Sequence, residues 1–155
     1  MTKREVIARI EEIKELHSIK NNEVNSLMKI TYEDYSEETG EMTVSFPVDE
    51  WMSNPGGLMH GGVIATAFDI ALGYHTLVVE REKAIVTTNL SIQYLKQIPL
   101  GSRFVVKSKM TRNGKSLVHL HAEGFVEGSD EIVATSTCTY MKLDSGVNAG
   151  TKMKV

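Results

Sequence analysis

The residues best placed to do chemistry lie between Asn54 and Asp69. Gly56, Gly57, Gly61 and Gly62 place four glycines within seven positions, which implies a backbone that turns tightly or lets another group approach closely. His60-Gly61-Gly62 opens an apolar run, 61–79, that reads as a helix. Gly61 and Gly62 would then supply free N–H groups at a helix N-terminus, where the dipole favours developing negative charge. That is the geometry of an oxyanion site. Asp69 follows about two turns later, among Ala67, Phe68, Ile70 and Ala71. An unpaired carboxylate in apolar surroundings costs several kcal/mol, so Asp69 needs a partner or a use. The residues alone leave both readings open: a structural carboxylate bonded to neighbouring strands, or a general base.

Other motifs carry less. Gly114-Lys115-Ser116 resembles the end of a phosphate-binding loop, but the glycine needed five residues earlier is Lys109. His119 and His121 share a strand face without any carboxylate or cysteine at ligand spacing, so no metal site is expected. Cys138 reads as a small core residue, since it lies within a strand and beside no evident base.

Bulk properties narrow the function classes. A chain of 155 residues with 41% hydrophobic and 24% charged residues is the size and composition of one folded domain. The net charge of -3 speaks against a nucleic-acid surface. The single cysteine and the charged, amphipathic first ten residues point to a reducing, cytoplasmic setting. The run 61–79 is nearly long enough to span a bilayer, but Asp69 and His75 within it favour a buried core helix and no membrane partner.

The elements that must position these groups follow from periodicity. Thr2 and Glu5 fit a capping box, and Val6, Ile7, Ile10, Ile13 and Leu16 recur at helical spacing, predicting an amphipathic helix within 1–22. From Leu27 the period changes to two: Met28, Ile30 and Tyr32, then Met42, Val44, Phe46 and Val48, predict a hairpin, with Pro47 at an edge or break. Four more strands follow the helix, carrying Leu90, Ile92 and Tyr94; Phe104, Val106 and Met110; Val118, Leu120 and Ala122; and Ile132, Ala134, Cys138 and Tyr140. Asn113-Gly114 predicts a type I′ turn. The expected fold is α+β, a six-stranded antiparallel sheet curled around one apolar helix. It occupies 27–143, with a flexible tail at 144–155.

Asn54, His60-Gly61-Gly62 and Asp69, taken with their spacing, resemble the hotdog-fold acyl-CoA thioesterases, in particular the phenylacetate-degradation branch. The resemblance covers roughly 27–143 and leaves out the N-terminal helix. It implies hydrolysis of an acyl- or aryl-acyl-CoA without a cofactor or metal. Asp69 would be the general base or nucleophile, and the Gly61 N–H would polarise the carbonyl. Asn54 would position water or the carboxylate, and His60 would orient the loop and assist the leaving thiolate. Thr87 would place a hydroxyl near the water, although a slip of one residue exchanges it with Thr88. Gly62, Thr88, Arg112 and Lys115 would contact substrate, the last two among basic residues near the fourth strand that suit coenzyme A phosphates. A thioester has a good leaving group, so a carboxylate, a water and one or two N–H donors suffice. The resemblance also implies a homodimer or homotetramer with sites shared between subunits. Gly61 and Asp69, eight residues apart on one helix, are about 12 Å apart along its axis, too far to act on one carbonyl.

Two alternatives share the fold. One is a non-catalytic acyl-CoA or acyl-carrier binding module, whose relatives tend to lose the acid and gain a DNA-binding motif. The other is a hydratase, which pairs its acid with a differently placed His. Retention of Asp69 and the single N-terminal helix favour the hydrolase.

Overall fold

Thr2 and Glu5 cap the first helix reciprocally: the Thr2 N–H donates to Glu5 Oε2 at 2.8 Å, and the Glu5 N–H to Thr2 Oγ1 at 3.2 Å. The computed structural model describes residues 1–16, 23–81 and 83–143. Within it α1 (Lys3–Leu16) buries Val6, Ile10 and Ile13, whereas Ile7, expected on that stripe, is 49% exposed. Residue 7 lies one position from Val6, and i,i+1 neighbours on a helix do not share a face. The expected end of this helix near 20–22 and the tail 144–155 lie outside the described residues.

The period change expected at Leu27 is corrected. Residues Val24–Met28 form a short helix, α2, which Lys29 ends in the left-handed region at φ 50°. Met28 is fully buried, and in so short a segment burial at alternate positions fits a helical turn as well as a strand.

The strands are β1 (Thr31–Tyr35), β2 (Met42–Pro47), β3 (Ala84–Tyr94), β4 (Arg103–Asn113), β5 (Leu117–Val126) and β6 (Ile132–Leu143). They form one sheet in the order β1-β2-β4-β5-β6-β3, antiparallel throughout. Pro47 ends β2 beyond the last residue paired with β1, so its missing N–H breaks no ladder on that side. Asn113 and Gly114 do not make a type I′ turn, since neither has positive φ. The loop is wider there: the Gly114 N–H donates to Leu117 O at 2.9 Å, and β6 reaches across through the Lys142 N–H to Ser116 O at 2.8 Å.

The apolar run forms α3 (Gly61–Val79), long and apolar enough to cross a bilayer by composition. Instead it packs against α1 and against β2 to β6, burying Ala67, Phe68, Ala71, Leu72 and Val78 completely. Phe68 meets Phe104 edge-on at 5.5 Å, and Gly124 makes room for them, since a Cβ there would lie 2.5 Å from the Phe104 ring. His75, 1% exposed, bonds through Nδ1 to Ser108 Oγ at 2.8 Å, and Ser108 Oγ donates to Met42 O at 3.1 Å. The one hydroxyl proton is committed to Met42, so His75 carries its proton on Nδ1. Burial lowers its pKa from 6.5 to about 4. At the C-terminus of α3, Arg9 of α1 donates to Leu77 O at 3.3 Å and to Arg81 O at 2.9 Å, fixing the extra helix across the end of the central one.

Candidate active site

The glycine-rich loop is built around Asn54. Its carbonyl accepts the Gly57 N–H at 3.0 Å, closing a turn with Pro55 in second position and Gly57 at φ +75°. The Asn54 Oδ1 accepts from the Gly56 N–H at 2.8 Å and the Leu58 N–H at 3.1 Å, so the side chain organises its own loop. The returning chain is tied by the Met59 N–H to Ile98 O at 2.9 Å and the His60 N–H to Met52 O at 2.7 Å.

His60 is the N-cap of α3: Nδ1 accepts the Gly62 N–H at 2.9 Å, which leaves the proton on Nε2. Of the two donors expected here, the Gly62 N–H is therefore used internally. The Gly61 N–H has no hydrogen-bond partner among the described residues and stands at the positive end of a 19-residue helix. Tyr94 of β3 donates to Gly61 O at 3.0 Å and holds this first turn.

Asp69 is half-buried in the middle of α3 and does not lack partners. Its Oδ1 accepts the Thr87 hydroxyl at 2.9 Å. Tyr140 of β6, absent from the expected site, contacts it twice, donating to Asp69 O at 2.7 Å and lying 3.2 Å from Oδ1. Thr88 turns away and donates to Thr139 O at 3.0 Å. A register shift in the β3–β6 ladder explains this choice: Thr87 pairs with Tyr140 and Asn89 with Thr139, leaving Thr88 as the extra residue of a bulge. Burial, with Cys138 and Asp69 close by, holds the Tyr140 phenol far above its ordinary range, and burial pushes the Cys138 thiol up to about 11. Tyr140 had a signal of its own, because a tyrosine at a core-facing strand position needs a partner for its hydroxyl.

A cavity of about 200 Å³ opens beside the carboxylate. Asp69 and Tyr140 stand at one end, and Ile70, Gly73, Tyr74, Leu77, Ile85, Ile13 and Asn25 line the rest. It runs along the apolar flank of α3 toward the N-terminal helix.

The predicted residues thus fall into two groups. Asn54, His60 and Gly61 gather at the N-terminus of α3, and Asp69 joins Thr87 near its middle. Nothing among the described hydrogen bonds links the groups, and helical rise separates Gly61 from Asp69 by about 12 Å. Arg112 and Lys115 join neither. Their hairpin lies at the other end of α3, where neighbouring Asn113 donates to Glu80 at 2.6 Å, and α3 spans about 27 Å between its ends.

The family model of the thioesterase superfamily matches residues 56–133, half of the chain. A provisionally named esterase of Saccharolobus solfataricus is 29% identical over 132 residues, covering 85% of this chain and 84% of its own. Acyl-coenzyme A thioesterase THEM4 of Rattus norvegicus is 35% identical over 91 residues, 57% of this chain and 37% of that longer protein. The solved PaaI protein of the E. coli phenylacetic acid degradation operon superposes with a TM-score of 0.75 at 17% identity, covering 92% of this chain and 96% of that one, and shares its hotdog fold. With half of its length matched, and with the helix, turn and sheet that this fold requires, the chain belongs to the thioesterase superfamily.

Proposed function

We propose that this thioester hydrolase cleaves acyl- or aryl-acyl-coenzyme A to the free acid and coenzyme A, with Asp69 as general base or nucleophile. The observation that carries the reading is the held carboxylate in the wall of a cavity lined mainly by apolar side chains. Thr87 occupies Oδ1, and Oδ2 has no described partner. As a base, Oδ2 takes a proton from water as the oxygen attacks the thioester carbon. The Gly61 N–H stabilises the developing oxyanion, and collapse expels the thiolate, which then takes a proton. Asn54 positions the water, and His60 fixes the turn and faces the leaving sulfur. The acyl group occupies the cavity along α3.

The donors and the base come from different subunits of a homodimer or homotetramer. Two observations support this: the separation of the two groups on α3, and the edge position of β3, an eleven-residue strand with one unpaired side. Pairing β3 with its symmetry mate joins two sheets and faces one α3 toward the other. The assay is release of free thiol from a panel of acyl-CoAs by wild type and by Asp69→Asn. Near-complete loss in the folded variant is expected, and wild-type turnover by Asp69→Asn would sink the assignment. Binding without thiol release across the panel would instead identify a non-catalytic module.

A further inference from the structure

We infer that Tyr140 is a positioning residue for the reaction, holding the Asp69 carboxylate in one rotamer through a hydroxyl that bridges the side chain and the main chain of the same residue. The inference rests on the proposed role of Asp69.

The Tyr140 hydroxyl makes two contacts, 2.7 Å to Asp69 O and 3.2 Å to Oδ1. Within α3 the Asp69 carbonyl already accepts a helical N–H from residue 73, so the phenol uses its second lone pair. A donor shared between the backbone carbonyl and the carboxylate fixes Oδ1 relative to the helix axis. Thr87, directly opposite Tyr140 in the ladder, donates to the same oxygen at 2.9 Å. The Thr87 hydroxyl and the longer arm of the shared Tyr140 bond both fall on Oδ1, and Oδ2 is the oxygen left to meet water or substrate.

The phenol's own freedom is small. Tyr140 is 2% exposed, and its hydroxyl lies beside Gly73 of α3, where a Cβ would already be in van der Waals contact with it at 3.5 Å. A longer side chain there would fill the space that Oη occupies. A side chain locked in this way orients its partner without an entropic penalty during turnover.

Among the described residues no charged side chain is bonded to Asp69, whose partners are the hydroxyls of Thr87 and Tyr140. Of the titratable groups near Asp69, β6 contributes Tyr140 and Cys138, both kept neutral by burial, and α3 contributes Tyr74 in the same cavity wall, whereas β3 contributes only the Thr87 hydroxyl. Arg9 of α1 is engaged on Leu77 and Arg81, and His75 on Ser108 of β4. Lys107 and Lys109 of β4 and His119 and His121 of β5 alternate with the core-facing residues, on the other face of the sheet.

The test compares Tyr140→Phe, Asp69→Asn and wild type by thiol release over a pH series. Tyr140→Phe is expected to lower kcat by tenfold or more with KM within about twofold. The acid limb of its kcat/KM profile is expected to move to higher pH, because the carboxylate has lost a donor. If Asp69→Asn is inert and Tyr140→Phe keeps the wild-type kcat and acid limb, losing only thermal stability, Tyr140 is structural and the inference is overturned. If Asp69→Asn turns over normally, the reading of the site fails instead. Should Tyr140→Phe misfold, 3-fluorotyrosine placed at position 140 alone keeps the ring and makes the hydroxyl a stronger donor. The acid limb is then expected to move to lower pH, and an unmoved limb overturns the inference.

Discussion

Thr87 and Tyr140 face each other across the β3–β6 ladder, one residue before a bulge, and both hydroxyls converge on Oδ1 of Asp69. Counting back in twos from the core-facing Leu90 brings Thr88 inward and sends Thr87 out. The extra residue inverts that phase, so that Ile85 and Thr87 face the cavity and the carboxylate. The bulge therefore selects which threonine serves the site.

It follows that Thr87→Val and Thr88→Val should differ sharply. Removing the Thr87 hydroxyl takes a donor from the carboxylate and is expected to lower kcat about tenfold. Thr88 spends its hydroxyl on a strand carbonyl, so its loss is expected to register in thermal stability, by about 1 kcal/mol or less, more than in turnover. Steady-state kinetics on the pair checks this, and equal losses of kcat would contradict the geometry.

How far such detail was legible in the sequence depends on the physics of each element. The span of α3 was readable to the residue, because a run that is apolar except at a few positions, Asp69 and His75 among them, is bounded by His60, a side-chain cap, and by charged Glu80. The Thr2–Glu5 box was equally plain, since capping is a local interaction of adjacent residues. The Thr87–Thr88 choice was not, because a bulge changes the phase of a strand without leaving a residue signature of its own. Tyr140 stayed hidden because alternation assigns it to the core and says nothing of where its hydroxyl points. Asn113-Gly114 misled for a tertiary reason: Asn113 is held by Glu80 at 2.6 Å and by Lys142 at 2.6 Å, and these contacts override its turn propensity.

The N-terminal helix should influence acyl preference. Ile13 lies in the wall of the cavity with Tyr74 and Leu77, and it is 2% exposed. Ile13→Ala removes about three methylene equivalents from that wall and costs about 2–4 kcal/mol of stability. It is expected to shift the kcat/KM ranking toward longer acyl chains by several-fold, read on a graded acyl-CoA series below the unfolding temperature. An unchanged ranking would place the acyl group elsewhere.

Stability should fall on mild acidification, chiefly through His75. Its folded pKa of about 4 lies below the ordinary 6.5, so between these values the unfolded chain binds a proton that the native state refuses. Its contribution is complete above pH 6.5 and is lost progressively as pH falls toward 4, by about 3 kcal/mol in all. The double variant His75→Leu, Ser108→Ala removes both partners and should flatten the pH 7 to 5 dependence of thermal unfolding. If the variant and wild type keep the same slope, another group is responsible.

The shared site is tested by complementation, with activity itself as the readout. Within one chain the Gly61 N–H and Asp69 are about 12 Å apart along α3, whereas a thioester carbonyl needs donor and attacking group each within about 3 Å. Two α3 helices related by a twofold axis meet that requirement, with Asn54, His60 and Gly61 of one subunit acting beside Asp69 and Thr87 of the other. Asp69→Asn and Asn54→Ala are then each inactive for opposite reasons. In a dimer that carries one of each, one site has both lesions and the other has neither. Random exchange makes about half of the dimers mixed, so roughly a quarter of wild-type activity should return on mixing. Exchange is verified separately by mass-tagged subunits, so that a silent mixture cannot be blamed on slow dissociation. If exchange is complete and no activity returns, donor and base act within one chain and the helix must distort to bring them together.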